Sequence, residues 1–205
     1  TMGNLHAGHI SLVEEAKRHA DRLVVSIFVN PLQFNDASDL DKYPRTFEAD
    51  KAQLQAAGVD VLFFPEVAAV YPNGMHAATK VIVPGLSEIL EGEHRPGHFT
   101  GVTTVVCKLF NLVQPDCAVL GKKDYQQLML IQRMTKDLNL PIDIIAAATQ
   151  RESSGLAMSS RNGLMDDKSR DNARKIHEVL ENCAKNVLST SFSWAVAEQA
   201  ATQQL

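Results

Sequence analysis

Apolar and polar positions change their period along this chain, and each change marks an element. Ile10, Leu12, Val13 and Ala16 recur at helical spacing, which predicts a helix over residues 10–19. Residues 22–29 form a continuous apolar run, the pattern of a parallel strand buried on both faces. A polar loop over 30–42 follows, punctuated by Pro31 and Pro44. A second helix is predicted over 46–57, stopped by Gly58, and a second strand over 59–64, with a shorter strand candidate at 79–83. Val102, Val105, Val106, Leu109, Phe110 and Val113 then mark one face of a helix over 101–113. Residues 117–120 read as a strand, 125–138 as a helix and 142–147 as a further strand.

This βαβα alternation predicts an α/β fold with a doubly wound, Rossmann-like parallel sheet over residues 1–150. From about Glu152 the character changes. A charged helix over 166–188 and another over 193–205, separated by Ser189-Thr190-Ser191, predict a separate element over 151–205. The length of 205 residues suits one domain, or one domain with part of a second.

Charge narrows the function classes. Twenty Lys and Arg against 24 Asp and Glu give a net charge of −4, so composition implies no basic face for nucleic acid. No apolar run approaches the roughly 20 residues that span a membrane, and no signal peptide is visible. Cys107, Cys117 and Cys183 are odd in number and lack metal or redox spacing. A reduced, cytoplasmic protein is expected.

Candidate chemistry falls at the predicted strand ends, where open parallel sheets bind ligands. His6 and His9, with Gly8 between them, open the first helix. That spacing puts both imidazoles on one face of a first helical turn, where unpaired amides and the helix dipole favour phosphate. The glycine would let a ligand approach the backbone; two ordinary capping histidines are the competing reading. Beyond the first strand, Gln33 offers a donor and acceptors suited to a small hydroxy acid, unless it simply faces water. Gly121-Lys122-Lys123-Asp124-Tyr125-Gln126-Gln127 places two cations at a strand-to-helix turn, with Asp124 as a candidate cap, ribose acceptor or metal-shell group. A solvated basic turn is equally consistent.

Gly155-Leu156-Ala157-Met158-Ser159-Ser160-Arg161-Asn162 is a glycine-led loop expected to be mobile. It supplies two hydroxyls and a guanidinium for phosphate oxygens, or merely a turn begun by Ser159 or Ser160. Arg95-Pro96-Gly97-His98-Phe99-Thr100-Gly101-Val102 opens the helix at 101, with His98 as a candidate ligand or a core-edge histidine. Together these clusters describe a triphosphate site, with attack at the α-phosphate and pyrophosphate leaving. The absence of a Gly-x-x-x-x-Gly-Lys-Ser/Thr loop disfavours P-loop phosphoryl transfer, and no nucleophile triad stands out.

At these residues the chain closely resembles the pantothenate synthetase (pantoate–β-alanine ligase) family, of the His-x-Gly-His nucleotidyltransferase superfamily. Thr-Met-Gly-Asn-Leu-His-Ala-Gly-His at 1–9, Val-Asn-Pro-Leu-Gln-Phe at 29–34 and Arg-Pro-Gly-His-Phe-Thr-Gly-Val at 95–102 match its pattern. So do Gly-Lys-Lys-Asp-Tyr-Gln-Gln at 121–127 and Gly-Leu-Ala-Met-Ser-Ser-Arg-Asn at 155–162. The resemblance implies ATP-dependent condensation of pantoate with β-alanine through a pantoyl adenylate, with Mg2+ accompanying ATP and no tightly bound cofactor. It implies ATP binding by Met2, Gly3, Asn4, Leu5, His6, Ala7, Gly8 and His9, by Gly121, Lys122, Lys123 and Asp124, and by Gln150, Met158, Ser159, Ser160 and Arg161. His9 would be the proton donor, with His6, Lys123 and Arg161 as further catalytic groups. Gln33 and Gln127 would bind pantoate, Gln33 also β-alanine, and the loop at about 34–42 would cover the site against water. No metal site of the protein's own is implied, nor any nucleic-acid or membrane partner; a homodimer is.

Two positions depart from the family pattern. Gln150 stands in place of a usual valine, tolerable if adenine is read by backbone groups, and Lys122 in place of a common glutamate. The family also leads into Thr1 with a central strand, whose apolar side chains contribute about 1.5–3 kcal/mol each, and carries a longer C-terminal helical or α+β domain. The sequence is therefore expected to be an incomplete version of the physical protein. The alternatives are another nucleotidyltransferase of the superfamily, or a truncated nucleotide-binding remnant without turnover.

Overall fold

The computed structural model describes residues 1–188 and 193–205. In chain order its elements are helix α1 (Ala7–Ala16), strand β1 (Val24–Ser26), α2 (Ala37–Lys42), α3 (Phe47–Ala56), β2 (Val61–Phe63), α4 (Val67–Val70), α5 (Glu91–His94) and α6 (His98–Val113). They continue with β3 (Cys117–Gly121), α7 (Tyr125–Asp137), β4 (Asp143–Ala147), α8 (Asp167–Ala173), α9 (Lys175–Leu188) and α10 (Trp194–Thr202). Short 3-10 turns stand at Pro31–Gln33, Lys122–Asp124 and Asn162–Leu164. Two compact units result, one of Thr1–Leu5 with His9–Ala148, the other of His6–Gly8 with Thr149–Leu205.

The first unit holds the strands, all parallel, as the α/β reading requires. β1 pairs with β2, Val24 facing Val61 and Ser26 facing Phe63. β3 pairs with β4 from Cys117 opposite Asp143 to Gly121 opposite Ala147. Thr1 extends the hydrogen bonding beside β1: its ammonium donates to Ser26 O (3.1 Å), and Phe28 N donates to its carbonyl (3.0 Å).

Two apolar clusters support these pairs. Leu5, Val13, Leu23, Ile27 and Leu54 are buried among α1, β1 and α3. Phe99, Val102, Phe110, Leu130, Ile131 and Met134 are buried between α6 and α7, with Ala118, Leu120 and Ile144 of β3 and β4 packed on them. Each such side chain contributes about 1.5–3 kcal/mol by leaving water. Cys107 packs against this second cluster as a small half-buried residue, and burial pushes its thiol pKa up.

Several sequence expectations are corrected. The first strand covers Val24–Ser26 rather than all of 22–29, and Val24 is 41% exposed, so it is not buried on both faces. The 30–42 segment is not wholly loop: α2 forms there because Asp36 caps it, accepting from Ser38 N at 2.8 Å. Residues 79–83 form no strand, because threonine hydroxyls of α6 take the backbone groups of Val81. Its amide donates to Thr104 Oγ1 (2.9 Å) and its carbonyl accepts from Thr103 Oγ1 (2.6 Å). α6 begins at His98, three residues before the predicted start.

In the second unit the predicted helix over 166–188 is two helices meeting at Arg174. Asp166 caps α8 by accepting from Ser169 N at 2.7 Å. Ser193 precedes α10, with Val196 N donating to its hydroxyl at 3.4 Å. The expected Ser189-Thr190-Ser191 separator lies outside the described residues.

Candidate active site

The first motif is held by side chains that bind its amides. Gly3 (φ +88°) and Asn4 (φ +50°) turn the chain through left-handed conformations. The Gly3 amide donates to Thr1 Oγ1 (3.1 Å), and those of Asn4 and Leu5 to Asp50 Oδ2 and Oδ1 (2.9 and 2.8 Å). Asp50, on α3, is 1% exposed. A Cβ on Gly3 would stand 3.0 Å from Asp50 Oδ2 and 3.3 Å from Ile27 Cγ2, so glycine is needed for this close seat as well as for its φ.

His6 precedes α1 rather than lying in its first turn, while His9 lies within it. The Gly8 amide donates to His6 Nδ1 at 3.1 Å. Nδ1 must therefore carry the lone pair, which places the ring proton of His6 on Nε2. A Cβ on Gly8 would stand 2.9 Å from both Nδ1 and Cε1 of that ring. This corrects the reading of the motif in two respects. The amides of Gly3, Asn4, Leu5 and Gly8 already bind the protein's own side chains, and Gly8 makes room for an imidazole. Of the competing reading, two capping histidines, the structure shows a cap-type bond at His6.

Gln33 sits on the 3-10 turn after β1, and α6 is shaped to receive that turn. A Cβ at Gly101 would stand 2.6 Å from the Leu32 carbonyl carbon and 2.8 Å from Gln33 N, so only glycine lets the backbones touch. The buried Asn30 amide donates to Gln33 Oε1 (3.2 Å) and Gly101 O (3.1 Å), while its oxygen accepts from the Tyr71 hydroxyl (2.8 Å). Burial pushes the Tyr71 phenol pKa up to about 12, so it stays a donor. Gln33 Nε2 donates to Met2 Sδ at 3.4 Å, joining two of the predicted site residues. His98 Nδ1 lies 2.7 Å from Gln33 O, and Arg95 donates to His98 Nε2 at 3.2 Å.

At the turn after β3, Lys123 Nζ pairs with Asp124 Oδ1 at 3.0 Å. Asp124 precedes α7 but makes no side-chain cap bond, its carboxyl being turned to that lysine. Lys122 is exposed. Gln126 and Gln127 separate in role. Gln126 is structural: it donates to Leu86 O and Ile89 O (2.8 and 2.7 Å) and accepts from Glu91 N (3.2 Å). Gln127 makes no side-chain hydrogen bond among the described residues.

In the second unit the predicted loop returns on a short hairpin. Arg151 bridges Ala157, Glu152 N donates to Leu156 O (2.8 Å), and Met158 N donates to Gln150 O (3.0 Å). One lone pair of the Gln150 carbonyl is therefore engaged by Met158. Within this unit Met158 Cβ also lies 3.4 Å from where a Cβ on Gly8 would stand. Ser159 Oγ accepts from Arg161 N (3.2 Å), so this serine does start a turn, and Arg161 is exposed. Glu152 Oε1 anchors the loop by accepting from Asn162 (3.0 Å) and Arg170 (2.8 Å), and these bonds hold its carboxyl below the usual range.

Among the described residues no group of three or more His, Cys, Asp or Glu side chains is placed to hold a metal ion. None of their helices is long and apolar enough to cross a membrane. A family profile described as pantoate-beta-alanine ligase matches residues 1–205. The chain belongs to the pantoate-beta-alanine ligase family.

Similarity within the family is high. The chain is 58% identical over 187 residues to a pantothenate synthetase of Shewanella loihica, covering 91% of this chain and 66% of that protein. Over 205 residues it is 53% identical to one of Idiomarina loihiensis, covering 100% and 73%. It thus spans about two thirds to three quarters of these relatives' lengths. A crystal structure of the Thermus thermophilus pantothenate synthetase superposes with a TM-score of 0.93 at 47% identity, over 100% of this chain and 73% of that one. A pantoate-beta-alanine ligase from Francisella tularensis, complexed with Beta-gamma ATP and beta-alanine, matches at TM-score 0.82 and 45% identity, over 88% and 69%.

Asp50 and Glu152, which shape two of the ligase-family motifs from outside them, were not singled out from sequence. For Glu152 there was a signal, a carboxylate directly after Arg151 at the edge of the loop; for Asp50, inside an ordinary helical pattern, there was none.

Proposed function

We propose that this chain catalyses the ATP-dependent condensation of pantoate with β-alanine. In the first step a pantoate carboxylate oxygen attacks the α-phosphorus of ATP, and the bond to the bridging oxygen breaks as pyrophosphate leaves. In the second the β-alanine amine attacks the acyl carbon of pantoyl adenylate, loses a proton and expels AMP. The observation that carries the reading is the family match over residues 1–205, supported by the Francisella tularensis relative complexed with Beta-gamma ATP and beta-alanine.

The residues divide by chemistry. Gln33 and Gln127 present amides to the hydroxyl and carboxylate groups of pantoate, and Gln33 also serves β-alanine. His6, with its proton on Nε2, donates to a phosphate oxygen, and His9 is the proton donor to the leaving group. Lys122 and Lys123, with Gly121 and Asp124, meet ATP after β3. Gln150, Met158, Ser159, Ser160 and Arg161 form the third nucleotide segment. Met2, Gly3, Asn4, Leu5, Ala7 and Gly8 shape the first. Mg2+ enters with ATP as part of the substrate and offsets phosphate charge; no tightly bound cofactor takes part. The enzyme works as a cytoplasmic homodimer.

Pyrophosphate–ATP exchange, with and without pantoate, tests the reading. Exchange should require pantoate, and addition of β-alanine should release AMP. His9→Ala and Lys123→Ala should each lower exchange about 10²–10³-fold, the usual cost of one charge-stabilising donor, with unfolding curves unchanged. Pantoate-independent exchange, or near-normal rates in both variants, would overturn it.

A further inference from the structure

We propose that His98, oriented by Arg95, positions Gln33 for its carboxylic-acid substrate. The inference rests on the pantoate-binding role of Gln33 given above. It adds a residue that touches no reacting atom and acts through the backbone of one that does.

His98 is 7% exposed and has both ring nitrogens occupied. Arg95 Nη1 can only donate, so its 3.2 Å contact makes His98 Nε2 an acceptor. The ring proton is thereby fixed on Nδ1, which donates to the Gln33 carbonyl at 2.7 Å. Arg95 is itself fixed. Its Nη1 pairs with Glu91 Oε1 at 2.7 Å, and its Nη2 reaches Gln33 O at 3.4 Å. Glu91 N in turn donates to Gln126 Oε1, so one chain of hydrogen bonds runs from the first turn of α7 through α5 to Gln33. The Phe99 ring lies against the imidazole, centroids 4.9 Å apart, and limits its rotation.

A turn of three residues has little stiffness of its own. Here one side lies on Gly101, with no side chain between, and the carbonyl end is held by His98. With the backbone held, Asn30 and Met2 suffice to aim the Gln33 amide. Burial, reinforced by the Arg95 charge, lowers the His98 pKa, which keeps the ring in the neutral form this arrangement needs.

Two substitutions separate the ring nitrogens. In His98→Asn the amide nitrogen overlays Nδ1 and keeps the donor to Gln33; in His98→Gln the amide overlays Nε2 and loses it. The bond's worth of about 0.5–1.5 kcal/mol corresponds to roughly two- to thirteenfold. His98→Ala and His98→Gln should raise KM for pantoate by that factor and leave KM for ATP unchanged. His98→Asn should stay near the parent value. Amide hydrogen exchange at residues 32–35 should quicken in the first two variants and not in the third, whatever the activity. Equal behaviour of the Asn and Gln variants, unchanged exchange in His98→Ala, or a parallel rise of both KM values would overturn the proposal. If His98→Ala does not fold, the Asn and Gln pair decides. A parent protein without pantoate-dependent turnover would instead sink the substrate reading, while the exchange data would still judge the contact.

Discussion

Both oxygens of the buried Asp50 carboxyl accept backbone amides of the first motif, Asn4 at 2.9 Å and Leu5 at 2.8 Å. Asp50→Ala strands two donors away from water at about 1–3 kcal/mol each. We expect a lower urea midpoint with an unchanged denaturant slope, and slower pyrophosphate exchange because the Gly3–Asn4 turn loses its seat. A variant within 0.5 kcal/mol of the parent, on the order of an ordinary surface change, would refute this. At the residue scale the motif letters were legible and their partners were not. Gly3 and Gly8 are visible as glycines, but nothing local announces that one faces a carboxyl 46 residues from Asn4 and the other an imidazole two residues back.

Helix α6 shows the same division among elements. Its apolar face was legible from Val102, Val105, Val106, Leu109, Phe110 and Val113, all buried or half-buried. Its second contact, with the turn carrying Gln33, was not, because Gly101 has no hydropathy signal. In an exposed helix Gly→Ala stabilises by roughly 0.5–1 kcal/mol. Here the new Cβ would stand 2.6 Å from the Leu32 carbonyl carbon and closer still to its oxygen, backbone atoms that cannot rotate away. Gly101→Ala should therefore destabilise, by about 1–3 kcal/mol as overpacked sites do, and raise KM for pantoate. A higher melting temperature would show that the turn moves freely. The absent strand at 79–83 has a related cause. Val81 has strand-like composition, but the hydroxyls of Thr103 and Thr104 satisfy it before any neighbouring strand can.

For the whole molecule, acid should act in two stages. The folded-state pKa of His98 is lowered by burial first; the Gln33 carbonyl opposes this, the Arg95 charge adds to it, and Glu91 and Asp124 oppose it more weakly. The unfolded chain therefore takes up the proton first. The stability contribution is complete above about 6.5 and is lost as pH falls from there to the depressed folded value. Asp36, Asp60, Glu152 and Asp166 are also lowered, each by hydrogen bonds accepted from amides, serine hydroxyls or an arginine. Their contribution is present above the ordinary carboxylate range and lost below it. Urea midpoints against pH should show a first decline below pH 6.5 that His98→Asn removes, and a second at carboxylate pH that it leaves. A profile flat down to pH 4.5 would contradict the first stage. By itself the sequence determined the alternation of strands and helices, the spacing of the site motifs and, through them, the family. Those properties depend on side-chain period and short-range propensity, which any window of the chain already contains. Only the tertiary structure decided which amides of the first motif are engaged, which ring nitrogen of His6 and of His98 carries the proton, and what holds Gln33. Each of those depends on hydrogen bonds, some between groups as far apart as Asn30 and Gly101, 71 residues, that exist only once the chain has brought them together.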